Sequence, residues 1–297
     1  MNIKYWFTRF KIVMEAHIFN WPWRSRERRR AIRGNVLGRL VPQYLKQYLF
    51  ATKNVPDESI QNGSDKIFTI WLQGEDSAPD LVKSCFRSVR QNCKQKLVVL
   101  DEKSLFEYIT LPDYIMEKRR CGLIKNAHFA DICRVELLYR YGGIWLDATA
   151  FVTAPIPDNI IAQDFFMYMA GNVWGYGFVQ NCFIRARRGS YLLAAWRAMI
   201  FEYWKNNNHA MDYFVHQLLF KTLVENDVRA KKYFKKMLRI DQDPTHIMRW
   251  ELWDKPFDKN IFNSLSNNVF FQKLTYCDSS AVVPNSFADF VINKKDI

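Results

Sequence analysis

Short apolar runs alternate with amphipathic stretches through the middle of the chain, and they predict strands and helices in turn. Lys66 to Leu72 is β-branched and aromatic, is bounded by Gln73-Gly74, and reads as a buried strand. Ser77 before Pro79 signals a helix start, and the helical pattern runs to Asn92. Leu97 to Leu100 predicts a second strand, which ends on Asp101. Strand, helix, strand in this rhythm argues for a parallel, doubly wound sheet. Short helical pieces are expected over 104–108 and 113–119. Asn126, a good N-cap, then opens a longer helix with Ala130, Cys133, Leu137 and Leu138 at helical spacing, closed by Gly142-Gly143. Ile144-Trp145-Leu146 reads as a short buried strand ending on Asp147. Further on, 165–170 and 178–184 predict strands, and 190–205, 212–225 and 228–238 predict helices. The last sixty residues carry no readable period.

Composition sharpens this picture at one end. At 297 residues, 49% hydrophobic and 16% aromatic, the chain has enough apolar surface for one sizeable globular domain. The net charge of +13 is unevenly spread: residues 1–50 hold eleven Lys and Arg against two Glu. A basic excess confined to one end points to a local anionic partner. The same end holds Tyr5, Trp6, Phe7, Phe10, Phe19, Trp21 and Trp23, followed by six arginines from Arg24 to Arg33. No apolar run approaches the roughly 20 residues that span a bilayer, and no signal-peptide core is present. Two readings stand: a segment lying on an anionic membrane surface, or aromatics that pack it onto a catalytic domain. No nucleic-acid module is recognisable, so nucleic acid is not an expected partner. Residues 51–65 read as a linker, dividing a basic, helical extension (1–63) from the main domain (64–297). The six cysteines form no CxxC pair and have no nearby histidines, which argues for reduced, packed thiols and against zinc.

The chemistry concentrates around Asp147. A carboxylate placed where an apolar strand stops sits on the edge where open α/β sheets bind ligands. On the preceding helix, Asp131 and Arg134 are three apart and share a face. One helix–strand unit thus offers two carboxylates and a guanidinium, groups suited to vicinal hydroxyls and to phosphate oxygens.

The string AHFADICRVELLYRYGGIWLDAT resembles the sugar-nucleotide-binding segment of D-x-D glycosyltransferases. It is most similar to that of bacterial capsular polysaccharide synthesis transferases, and more distantly to that of the clostridial glucosylating toxins. The likeness extends over residues 64–225, including KIFTIWLQGEDSAPDLVKSCFRSV and LPDYIMEKRRCGLIKNAHFADI. A lone D-x-D says little; Ala, Asp, Arg, Tyr-Gly-Gly, an aromatic and Asp in register are specific. The resemblance implies a GT-A-like α/β fold with a mostly parallel sheet. It further implies retaining transfer of a hexose or amino-hexose from a UDP-linked donor. The implied acceptor is a lipid-linked saccharide, the place the cytoplasmic face of the plasma membrane, and the cofactor Mn²⁺ or Mg²⁺.

By the same resemblance Asp131, Arg134 and Asp147 form the catalytic set, Trp71 stacks on the base, and Trp145 and Asn181 flank the sugar and phosphate. Asp147 and Thr149 would hold the metal, with His246 a further candidate for its shell. The motif reads Asp147-Ala148-Thr149, so a hydroxyl stands where relatives carry the second carboxylate. Asp212 and His216 are candidates for acceptor recognition or proton handling. The structural alternatives are an ion pair for Asp131 and Arg134, core positions for Trp71 and Trp145, and a turn Asp and half-buried His for Asp212 and His216. Two other functions stay open: transfer to a protein side chain, or non-catalytic binding by a degenerate site.

Overall fold

The computed structural model describes residues 3–19, 25–61, 63–171, 175–276 and 282–293; Trp21, Trp23, Arg24 and Cys277 lie outside them. Two helices open the chain, α1 (Ile3–Phe19) and α2 (Arg26–Leu45), the second capped by Ser25. The alternating segment follows as β1 (Lys66–Ile70), α3 (Asp80–Asn92), β2 (Lys96–Leu100), α4 (Leu105–Tyr108), α5 (Asp113–Arg120), α6 (Asn126–Tyr141) and β3 (Gly143–Leu146). Next come β4 (Ala150–Val152), α7 (Asp158–Ile161), β5 (Phe165–Met169), β6 (Val179–Ala186), α8 (Tyr191–Asn206), α9 (Val215–Asn226) and α10 (Val228–Phe234). The stretch without a readable period contributes α11 (Lys259–Asn268), β7 (Phe271–Lys273) and α12 (Phe287–Asn293).

The central sheet has the order β2-β1-β3-β6-β5. β1 pairs in parallel with both β2 and β3, while β6 runs against both of its neighbours, β3 and β5. Four of the five strands therefore point one way, and the sheet is mostly parallel as expected. A second, two-stranded sheet pairs β4 with β7, placing Ala150 opposite Lys273.

Local chemistry explains the central unit. All four residues of β3 are buried, which is why it reads as an unbroken apolar run. Gly142 and Gly143 turn α6 straight into β3 at φ 65° and 103°. A Cβ on Gly143 would stand 2.7 Å from the Lys66 carbonyl oxygen, so close strand pairing and positive φ both demand glycine there. The helix start differs from expectation. Asn126 is the first helical residue, Lys125 holds the cap position, and no side chain caps the first turn.

Packing forms two clusters. The main one spans the sheet and α6, α8 and α9, and it includes Val36, Leu37, Leu40 and Val41 of α2. The first helices thus share a core with the rest of the chain. The second cluster joins α3 to α12 and takes in Phe151 and Leu274, with Trp71 and Ala148 packed at its edge. Between these clusters runs the turn Asp147-Ala148-Thr149.

Candidate functional site

Asp147 follows β3 directly, and its amide donates to the Cys182 carbonyl of β6 at 2.8 Å. Its carboxylate therefore stands at the carboxyl edge of the parallel strands. Oδ1 accepts from the Trp145 indole N–H at 2.9 Å and lies 3.3 Å from Arg134 Nη2. The Arg134 guanidinium sits 4.8 Å from the Trp145 ring centroid, so Trp145 steadies both charged groups. Trp145 itself is buried, and its position is one of support.

Arg134 links the two carboxylates. Its Nη2 also lies 3.1 Å from Asp131 Oδ1, and its Nη1 donates to the Asn181 carbonyl at 2.5 Å. The Asn181 amide donates to Asp131 Oδ1 at 2.8 Å and accepts from Gln217 at 3.2 Å. Asn181 therefore fixes the Asp131 carboxylate from behind.

His216 approaches the other oxygen, with Nδ1 at 3.1 Å from Asp131 Oδ2. The approach is off the line of a well-aligned hydrogen bond, and the distance and charge make it a close polar contact. The Trp204 indole N–H donates to His216 Nε2 at 2.8 Å. Nε2 is then the acceptor nitrogen, so the neutral ring carries its proton on Nδ1, facing Asp131. His128 Nδ1 stands 3.6 Å from the same oxygen.

The titration of these groups follows from that packing. Burial pushes the Asp131 carboxyl up, but Arg134, His128 and His216 outweigh it and hold it well below the ordinary range. Burial pushes His216 down, more strongly than Asp131 raises it, so the ring stays neutral. Burial opposes the charge on Arg134, and Asp131 and Asp147 more than compensate.

A family model described as "Capsular polysaccharide synthesis protein" matches residues 18–291. The chain belongs to that family. Two curated relatives are fungal. This family member is 33% identical over 106 residues to O-glycosyltransferase braB of Annulohypoxylon truncatum, which is 33% of this chain and 25% of that protein. It is 30% identical over 118 residues to O-glycosyltransferase PaGT of Phomopsis amygdali, which is 37% of this chain and 29% of that one. The aligned part thus spans less than a third of either relative. The solved structure of PaToxG Glycosyltransferase aligns over 69% of this chain and 84% of its own, at 12% identity and a TM-score of 0.40.

Of the residues expected in the site, Asp131, Arg134, Trp145, Asp147, Thr149, Asn181 and His216 come together in this capsular polysaccharide synthesis protein. His216 is fully buried behind Asp131, with no open face. Trp71 lies at the end of β1, edge-on to Tyr276 at 5.5 Å, and its buried indole N–H has no hydrogen-bond partner among the described residues. Asp212 shapes the turn before α9, accepting from the Phe214 amide at 2.9 Å. His246 is stacked 4.6 Å from Trp250 and bonded to Thr245 at 2.9 Å, and burial, with a smaller push from the Lys273 charge, lowers it to about 4.

Two residues absent from the sequence reading join the site. Lys273 Nζ donates to Thr149 Oγ1 at 2.6 Å and lies 3.7 Å from Asp147 Oδ2. Tyr213 is exposed beside His128, with ring centroids 6.0 Å apart, and desolvation and the Asp131 and Asp147 carboxylates push its hydroxyl up. Neither signal was available from spacing.

Two places invite a divalent cation, and neither donor set fits one. His128, Asp131 and His216 offer ligand atoms within 4.8 Å of one another. The Trp204 N–H on Nε2, however, leaves the proton on the very nitrogen that would bind the ion. At Asp147 and Thr149 the ammonium of Lys273 already stands against both groups. Unit charges about 4 Å apart interact by about 4 kcal/mol at an effective dielectric near 20, and a dication doubles that repulsion.

Proposed function

We propose that the chain is a retaining glycosyltransferase that takes a hexose or amino-hexose from a UDP-linked donor. The observation that supports this most is the guanidinium of Arg134 shared by Asp131 and Asp147 at the carboxyl edge of β3. Asp131 has its charge fixed and its orientation set, as a group that accepts from sugar hydroxyls requires. Arg134 and Asp147 face the anomeric carbon and the phosphate, and Trp71 offers a flat ring to the base. In the reaction the acceptor hydroxyl oxygen bonds to the anomeric carbon. The bond from that carbon to the β-phosphate oxygen breaks, and its electron pair stays on the diphosphate. The acceptor proton passes to a diphosphate oxygen on the same face, so configuration is retained. The products are the glycoside and a nucleoside diphosphate.

The test is release of nucleoside diphosphate from a panel of UDP-, GDP-, ADP- and CDP-sugars by the full chain, with and without Mn²⁺. The expected result is slow hydrolysis of one donor. Failure to bind or turn over any of them overturns the reading.

We place the acceptor on a lipid at an anionic membrane face. α1 has two apolar stripes. Tyr5, Ile12 and Ala16 are buried, whereas Ile3, Phe7, Phe10 and Met14 recur at helical spacing and are exposed. Lys4 and Lys11 flank the exposed stripe. No described helix is long and apolar enough to cross a membrane, so this face suits a surface contact with basic residues on phosphates. Vesicle co-sedimentation checks it. Full burial of a Phe contributes about 1.5–3 kcal/mol, so the double substitution Phe7→Ser, Phe10→Ser is expected to weaken binding to phosphatidylglycerol vesicles more than tenfold. Equal wild-type binding to neutral vesicles, or an unaffected variant, would count against it.

A further inference from the structure

Lys273 reaches the turn after β3 from far along the chain. Pairing of β7 with β4 sets it opposite Ala150, the residue after Thr149. Nζ donates to Thr149 Oγ1 at 2.6 Å and to the Leu274 carbonyl at 3.1 Å, while Asp147 Oδ2 stands 3.7 Å off, beyond hydrogen-bond reach. An ammonium carries three donors. One is thus left without an acceptor at bonding distance among the described residues. The Thr149 oxygen accepts from Lys273, and its own hydrogen has no acceptor there either. The Lys273 side chain is 20% exposed and that of Asp147 23%, so a ligand can reach the pair.

We propose that Lys273 Nζ, together with the Thr149 hydroxyl, binds and neutralises the diphosphate of the sugar donor. The pair does the work that a second carboxylate and its divalent cation do in a D-x-D site. This rests on the donor reading above and assigns its leaving-group contact. Lysine binds phosphate as a point charge. Held in place by two hydrogen bonds, it stabilises the electron pair that the diphosphate takes from the broken glycosidic bond, without giving up a proton. The threonine now has a reason. An aspartate at 149 would add a second carboxylate to that of Asp147, 3.7 Å from the ammonium, and outweigh its charge, whereas a hydroxyl positions it without adding negative charge.

Calorimetric titration of UDP, GDP, CDP and ADP into the full chain, once in EDTA and once in MnCl₂, tests this. At least one diphosphate is expected to bind in EDTA, with affinity changed less than severalfold by Mn²⁺. Lys273→Met should weaken that binding roughly 10–100-fold, Lys273→Arg should largely keep it, and binding of the parent nucleoside should not change. Thermal melts show whether each variant is folded. If Lys273→Met is not, Lys273→Gln and the EDTA comparison on wild type still decide. Binding that requires Mn²⁺ and survives Lys273→Met overturns the proposal and leaves the transferase reading standing. Absence of any nucleoside diphosphate binding in either buffer overturns both.

Discussion

Arg134→Met is expected to lower donor turnover by about 10²–10³-fold and the unfolding free energy by about 3–5 kcal/mol. Both losses come from one geometry. The guanidinium is buried, bridges Asp131 and Asp147, and bonds the Asn181 carbonyl. Its removal leaves two carboxylates facing each other's field without a cation between them, which is the costly way to break a buried pair. Lysine is a poor substitute, because one ammonium cannot present the planar fork that meets three acceptors at once. Arg134→Lys should therefore recover part of the stability and little of the turnover. Urea denaturation followed by circular dichroism measures the first, and nucleotide release measures the second. A variant with wild-type turnover would remove Arg134 from the site.

Asp131→Asn tests the other half of the network. The amide carries no charge to balance Arg134 and keeps one acceptor oxygen for Arg134 and Asn181, so stability at neutral pH is expected to fall by about 3 kcal/mol. The difference should also depend on pH. In the unfolded chain the Asp131 carboxyl titrates near its ordinary value of 3.8, and in the folded protein it is held well below that. Below about pH 4 the unfolded state binds a proton that the folded state does not. The stability contributed by Asp131 is thus complete above that pH and is lost as pH falls further. The gap between wild type and Asp131→Asn should stay constant from about pH 7 to 5 and shrink below about pH 4. A gap that is flat down to pH 3 would mean that Arg134 does not hold Asp131 charged.

How much of this was legible in the sequence follows the distance between the residues concerned. Asp131, Arg134 and Asp147 belong to one contiguous helix–strand unit, so spacing and strand end alone bring them together. The alternation of β1, α3 and β2 was readable for the same reason. Residues joined by tertiary packing were not. β7 is three residues long in a stretch without a period, and nothing local ties Lys273 to Thr149. His216 sits on α9, where every residue from Val215 to Phe220 is buried. With no polar face, periodicity gives no depth for that histidine. Trp145 reads equally well as a ligand contact or a core residue, and only its bond to Asp147 distinguishes a third role. The reversed direction of β6 left no mark either, because a strand's residue pattern records which faces are buried and not which way the neighbours run.

The seam between the two packing clusters has a consequence for how such chains diverge. Asp147 is tied to Trp145 and Arg134 on one side, while Ala148 packs with the α3–α12 cluster that also holds Trp71 and Leu274. On the donor reading, the sugar is then recognised by one framework, the base by another, and the diphosphate by residues of both. On that reading, change confined to β7 and α12 bears on the phosphate contact, while Asp131, Arg134 and the residues packed behind them are inherited intact.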